Sequence, residues 1–282
     1  NDDFFSTNHD SKSTLKATIL FRQYIFNYIC IQNSNNRIRD NSLYLDWRIP
    51  FNRFEYSELY KLPNRLLSIG QPKELSADSF WDNYFPYKVK VQGAEEHSFI
   101  SFLRFSYFRP RDIVTMLNIL KELHRESGTK RNYFIEEDCR DPHFRRRYSE
   151  YLLGEVKDHL SFYYSDKDYE LFLKFFEFLR GDYSFTYDEY SACFKKFLHF
   201  VDQQNIERPA FLDKEGDFLQ FLFELNIIFC IEEVEDGKKF FFWCFKDRSV
   251  SNIRPRVKTN CKYEIFYGLG KALNMGKQFI ES

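Results

Sequence analysis

At 282 residues the chain exceeds the roughly 100–150 residues of an ordinary single domain, so two or three modules sharing a buried core are expected. Aromatic residues make up 20% of it, with 34 Phe and 19 Tyr against 10 Gly and 8 Pro, which excludes a disordered tail and favours packed helices. Forty-one basic residues against 42 acidic ones leave a net charge of -1, so nothing global draws the chain to nucleic acid or to an anionic membrane.

Asn1 to Thr14 carries almost no apolar periodicity and no secretory-signal pattern, and a cytoplasmic location is expected. Leu15, Ile19, Ile25, Phe26 and Ile29 then recur at helical spacing. Leu43 to Trp47 is a short segment, and Pro50, Pro63 and Pro72 divide the next stretch into short helices, one of them marked by Leu59, Leu62, Leu66 and Leu67. Ser79 to Pro86 is a short helix or turn. An aromatic helix from Phe99 to Phe108 meets Arg109-Pro110-Arg111-Asp112, where proline suits the first turn of a new helix carrying Ile113, Met116, Leu117, Leu120 and Leu123. Asp141-Pro142 and Arg145-Arg146-Arg147 read as a linker into a helix from about Tyr148 to Tyr163, and Asp168 to Leu179 is the next.

Beyond Gly181 the pattern changes. Asp188 to Val201 and Leu212 to Leu225 are helical, and the β-rich runs Ile227 to Glu233 and Lys239 to Lys246 flank Glu235-Asp236-Gly237-Lys238, a strong hairpin signal. Helix, helix and hairpin make a winged helix, with Tyr263 to Leu273 as a closing helix. The fold class expected is mainly α, a helical bundle followed by a C-terminal winged-helix domain. Its divisions are 1–50, a helical domain at 51–128, a helical linker at 129–180 and the winged helix at 181–282. The longest apolar runs fall far below the roughly 20 residues of a membrane span.

The chemistry-bearing motifs are few. None of the ten glycines stands in a G-x-x-x-x-G-K-[ST] context, and Gly268-Leu269-Gly270-Lys271 lacks both its spacing and a preceding strand. The six His and six Cys show no metal-ligand spacing, so no metal site is expected and the cysteines read as buried thiols. No G-x-S-x-G elbow occurs. Arg109 and Arg111 stand out, because two guanidiniums at a helix start suit a phosphate, although they also suit surface carboxylates. Two basic groups are candidates for nucleic-acid or partner contact: Arg145, Arg146 and Arg147, preceded closely by Glu136, Glu137, Asp138 and Asp141; and Arg248, Arg254, Arg256 and Lys258, just after the expected wing. The helix before the wing carries Asp213, Glu215, Asp217 and Glu224 against Lys214, which duplex DNA would repel, so any DNA contact is expected through the wing.

The string Phe108-Arg109-Pro110-Arg111-Asp112-Ile113-Val114, with Leu117-Asn118, resembles the R-P-R-D-[IL] helix start of bacterial FunZ-like P-loop ATPases of the AAA and STAND kind. Arg39-Asp40, Leu45-Asp46-Trp47, Phe80-Trp81-Asp82, Phe85-Pro86, Tyr148-Ser149 with Glu155, and Leu222 to Ile228 are similar to family residues in the same order. Tyr263 to Leu273 resembles the family's final helix, with Ile265-Phe266-Tyr267 in place of its His-Pro. The resemblance implies a lid-like bundle and winged helix following an ATPase domain in the same chain, with Arg109 or Arg111 as a nucleotide sensor. It implies ATP and Mg for the whole protein, none bound by this stretch alone, and a setting such as anti-phage defence. A homo-oligomer and a nucleic acid held by the wing are further partners to consider. The rival expectations are a stand-alone winged-helix DNA-binding regulator and a structural protein-interaction module.

Overall fold

The computed structural model describes residues 45–71, 80–91, 93–234, 237–249, 252 and 254–276, together with 19, 20, 36 and 40–43. The helix expected over Leu15 to Ile29 lies, but for Ile19 and Leu20, outside the described residues. The chain forms two compact units, Asn1–Leu43 and Tyr44–Ser282. The second is mainly helical. Leu45 to Trp47, expected as a strand from the family resemblance, joins no sheet among the described residues.

A short 3₁₀ turn, Phe51–Tyr56, leads into α1 (Glu58–Ser68), whose first turn is capped by Ser57 Oγ accepting from the Tyr60 N–H. Pro63, expected to break this stretch, sits inside the helix with its ring buried. Leu59 and Tyr60 in the first turn and Asn64 in the next are buried, and this anchorage tolerates the loss of the one hydrogen bond that proline removes. In α2 (Phe80–Tyr84), Trp81 is fully buried, stacks on Phe85 at 4.4 Å and donates from Nε1 to Ser98 Oγ at 2.9 Å. A hairpin that the sequence pattern does not announce comes next, β1 (Lys88–Val91) and β2 (Ala94–His97), turning at Gly93 with φ of +83°. Its strands bury little, so their apolar signal is weak.

Helix α3 (Ser98–Arg104) is shorter than the expected Phe99 to Phe108. Two side chains end it by taking backbone donors: Ser106 Oγ accepts the Phe108 N–H and Asp112 Oδ2 accepts the Tyr107 N–H. Phe108 thereby holds a left-handed φ of +55°, and α4 (Pro110–Glu126) starts at the proline as expected. After α5 (Glu136–Arg140), helix α6 (Pro142–Leu160) begins earlier than expected, because Asp141 caps the N–H groups of His143 and Phe144 and Pro142 occupies the first turn. The triple arginine therefore lies in α6 and not in a linker.

Helices α7 (Asp166–Phe178) and α8 (Tyr187–Gln203) both open with capping boxes, Ser165 with Asp168 and Thr186 with Glu189. Between them lies β3 (Ser184–Phe185). Helix α9 (Glu215–Glu224) precedes β4 (Ile228–Glu233) and β5 (Lys239–Phe242), and a one-turn helix α10 (Cys244–Asp247) replaces the second half of the expected β run. Tyr263 to Leu273 is not a helix. Lys262–Ile265 forms β6, which pairs antiparallel with β3 and β4 in the order β3-β6-β4-β5, and residues 267–274 are successive turns. Alternate burial of Tyr263 and Ile265, at 0% and 2% exposed, is a strand period that the mixed composition hid.

The core runs without interruption from Phe54 to Met275. Phe175 of α7 lies edge-on to Phe197 of α8 and Phe218 of α9 at 5.7 and 4.8 Å, so packing continues across Gly181. Gly268 fills a tight point in it: a Cβ there would meet Leu152 Cδ1 at 2.5 Å, Phe266 Cε1 at 2.9 Å and the Phe105 carbonyl at 3.2 Å. Gly268→Ala is expected to destabilise the chain by about 1–3 kcal/mol through overpacking. Urea melts of the two forms measure this, and equal midpoints would disprove the close fit.

Candidate functional site

The start of α4 gathers the charges that the sequence singled out. Arg109, the N-cap residue, donates from Nε and Nη2 to Asp112 at 2.7–3.1 Å, and its ring neighbour Tyr107 lies 5.1 Å below the guanidinium. Asp112 is fully buried and also accepts from the Tyr107 N–H at 2.9 Å and the Tyr151 hydroxyl at 3.1 Å. Burial by itself would lower the Arg109 pKa, and the Asp112 carboxylate more than offsets it, so the net shift is upward. Arg109 is thus a fixed cation.

Arg111 is placed differently. Its side chain is 53% exposed and its Nη1 donates to both oxygens of Glu155 at 2.9 Å, while Arg109 Nη1 reaches the same carboxylate at 3.1 Å. Two guanidiniums converge on one anion. The pairing with acids that the arginines' chemistry allowed is what the geometry contains, but Asp112 is buried counter-charge and not a solvated helix-start acid. Glu155 and Tyr151 lie four residues apart on α6, on the face beside the core positions Tyr148, Leu152 and Val156. That spacing is the signal by which they could have been found.

The segment just before Arg109 is tied to the C-terminal part of the fold. The Tyr107 hydroxyl donates to the Asn226 carbonyl at 3.1 Å and its ring stacks on Phe266 at 4.4 Å. Phe108 lies 5.9 Å from Phe245, and Lys246 Nζ stands 5.6, 5.0, 5.2 and 5.8 Å from the rings of Phe51, Phe108, Trp243 and Phe245. Burial, with Arg104 nearby, pushes the Lys246 pKa down to about 8, while the surrounding ring faces favour the ammonium form. Nothing in the sequence pattern marked this lysine.

The basic candidates scatter. Arg146 pairs with Glu150 and Arg147 with Glu126, at 2.9 and 2.7 Å, so these two arginines of the run are spent within the chain. Arg145 faces inward over the Phe105 ring. Of the second group, Arg254 is bound to Glu224 at 2.5 Å and Lys258 to Glu232 at 2.7 Å, Arg248 Nη2 rests on Cys244 Sγ, and Arg256 is exposed. The four do not form one open cationic face.

Helix α9 is covered where a base-reading helix would be bare. Gln220 is 5% exposed; its Nε2 donates to the Pro255 carbonyl and its Oε1 accepts the Val257 N–H, both at 2.9 Å. With Arg254 clipped to Glu224, residues 254–257 form a strap over α9, and Phe218, Leu219, Leu222 and Phe223 fill its other sides.

Gly268 to Lys271 lies in the turns that follow β6. Cys139, Cys193, Cys230, Cys244 and Cys261 are free thiols, and among the described residues no group of His, Cys, Asp or Glu is placed to hold a metal. No helix among the described residues is long and apolar enough to cross a membrane. Comparison with protein-family models, with curated proteins and with solved structures finds no match.

Proposed function

We propose that this chain is the nucleotide-responsive C-terminal portion of a P-loop ATPase, in which Arg111 senses the terminal phosphate and a winged-helix unit relays the signal to a partner protein. The observation that carries the reading is the convergence of Arg109 and Arg111 on the single carboxylate of Glu155. An arginine fork suits a carboxylate and a phosphate alike, so a site that holds Glu155 can also hold a phosphate oxygen. Arg109 stays locked by Asp112, whereas Arg111 is exposed enough to exchange Glu155 for a ligand supplied by a preceding domain. The strand order β3-β6-β4, with α8 and α9 between β3 and β4, supports a winged-helix unit that begins at α7 and whose wing is the long excursion from β4 to β6. The strapped α9 favours a protein partner over duplex DNA, and the Tyr107 and Phe108 contacts give the sensor a rigid path to that unit.

Glu155→Gln tests the reading in the protein carrying its P-loop domain. Freed from its internal anion, Arg111 is expected to raise affinity for a non-hydrolysable ATP analogue about tenfold, equivalent to ~1.4 kcal/mol, with ADP affinity unchanged. Equal analogue affinity in both forms, measured by calorimetry, would return the cluster to a purely structural role.

A further inference from the structure

Between β1 and helices α3 to α6 lies a cavity of about 240 Å³. Val89, Val91, Phe102, Met116 and Phe144 give it apolar walls, and Arg145 enters it from the first turns of α6. It shares no residue with the Arg109, Arg111 and Glu155 cluster, so it stands or falls apart from the sensor reading.

The charges around it do not balance. Lys90, Arg140 and Arg145 line the cavity against one carboxylate, Glu136, and that carboxylate is bound by Arg140 at 2.5 Å. Arg145, unlike its neighbours Arg146 and Arg147, meets no carboxylate among the described residues, and its Nε is buried with no hydrogen-bond partner. The Phe105 ring, 5.6 Å away, faces its guanidinium. The remaining polar groups supply no counter-charge, since the Cys139 thiol, 3.1 Å from the Tyr87 hydroxyl, is pushed up to about 12 by burial and stays neutral. An arginine keeps its proton in such a place, and leaving it half-buried without an anion is costly.

We propose that this cavity binds a small organic monoanion, a carboxylate on one aromatic ring or a short aliphatic chain, with its carboxylate on Arg145 and its body between the β1 valines, Phe102 and Met116. The volume lies below the ~300–1,000 Å³ of drug-sized sites, which limits the body to about one ring or a short chain. A planar carboxylate matches the guanidinium fork, and one negative charge is what Arg145 lacks. Such a ligand would also brace α4 against α6, the two helices whose ends carry the arginines and Glu155.

Calorimetry with phenylacetate and octanoate tests the site on the whole chain, with 2-phenylethanol as the uncharged body. Phenylacetate is expected to bind once per chain with Kd below about 1 mM. Arg145→Gln should weaken it at least about tenfold while leaving the ligand-free Tm unchanged or higher, because an uncompensated charge has been removed. The alcohol should bind wild type and variant alike, and Met116→Trp, which fills the cavity, should abolish binding of all probes. Absence of saturable binding by both acids, Arg145→Gln binding phenylacetate as wild type does, or binding that survives Met116→Trp would each overturn the proposal.

Discussion

Asp112→Ala is expected to lower the unfolding free energy by about 3–5 kcal/mol, the range for removing one partner of a buried ion pair. The carboxylate is fully buried and serves three groups: the Arg109 guanidinium, the Tyr107 N–H and the Tyr151 hydroxyl. Its loss leaves the Arg109 guanidinium with Glu155 and a cavity where the carboxylate stood, and it frees the backbone donor that ends the turn after α3. Asp112→Asn keeps the size and one acceptor but sets an amide N–H₂ against Arg109, so its cost should fall between wild type and alanine. Urea denaturation with unchanged m-values measures both. A loss below about 1 kcal/mol for Asp112→Ala would show that the cluster is a solvated surface pair.

Arg111→Ala, in the protein carrying its P-loop domain, should reduce ATP turnover at least about tenfold, or ~1.4 kcal/mol of transition-state stabilisation, with thermal stability preserved. Stability is spared because Arg111 is 53% exposed and its bond to Glu155 is a surface pair contributing about 0–1 kcal/mol. Arginine at a transferring phosphoryl group is worth more than that, since charge spreads over the group as the bond breaks. Arg109→Ala differs: it strands Asp112 in the core, so turnover and stability should fall together and the variant cannot by itself identify a sensor. The separation of the two effects at Arg111 is the diagnostic. Turnover of Arg111→Ala equal to wild type would sink the sensor role.

The legible parts of the fold were those whose signal is local. Pro110 at a helix start and the apolar periodicity of α4, α7 and α8 need only neighbours in sequence, while the capping boxes at Ser165 and Thr186, which start α7 and α8 before the expected Asp168 and Asp188, went unread. Boundaries failed where a side chain two to five residues away took a backbone donor. Asp112 shortened the helix expected to Phe108, and Asp141 lengthened the one expected from Tyr148. In the site, Arg109 and Arg111 were visible as residue types at a helix start and Glu155 entered only through the family resemblance, while its pairing with Arg111 across 44 residues was not legible.

The sequence by itself determined a mainly helical chain with an aromatic core, the helix opening at Pro110, and a β-rich stretch after α9, because propensity, capping and apolar period act within a few residues. Only the tertiary structure decided what those residues face. Tyr263 to Ile265 became a strand because β3 and β4 offered unpaired edges on both sides, a non-local gain that outweighs local preference. Arg146 and Arg147 became neutralised, Arg145 stayed unpaired beside a cavity, and α9 was covered by a strap 35 residues away in sequence. Apart from helix pairs such as Arg146 with Glu150, four residues on, charge pairing and burial depend on distances of roughly 3–4 Å between residues that the chain brings together only when it folds.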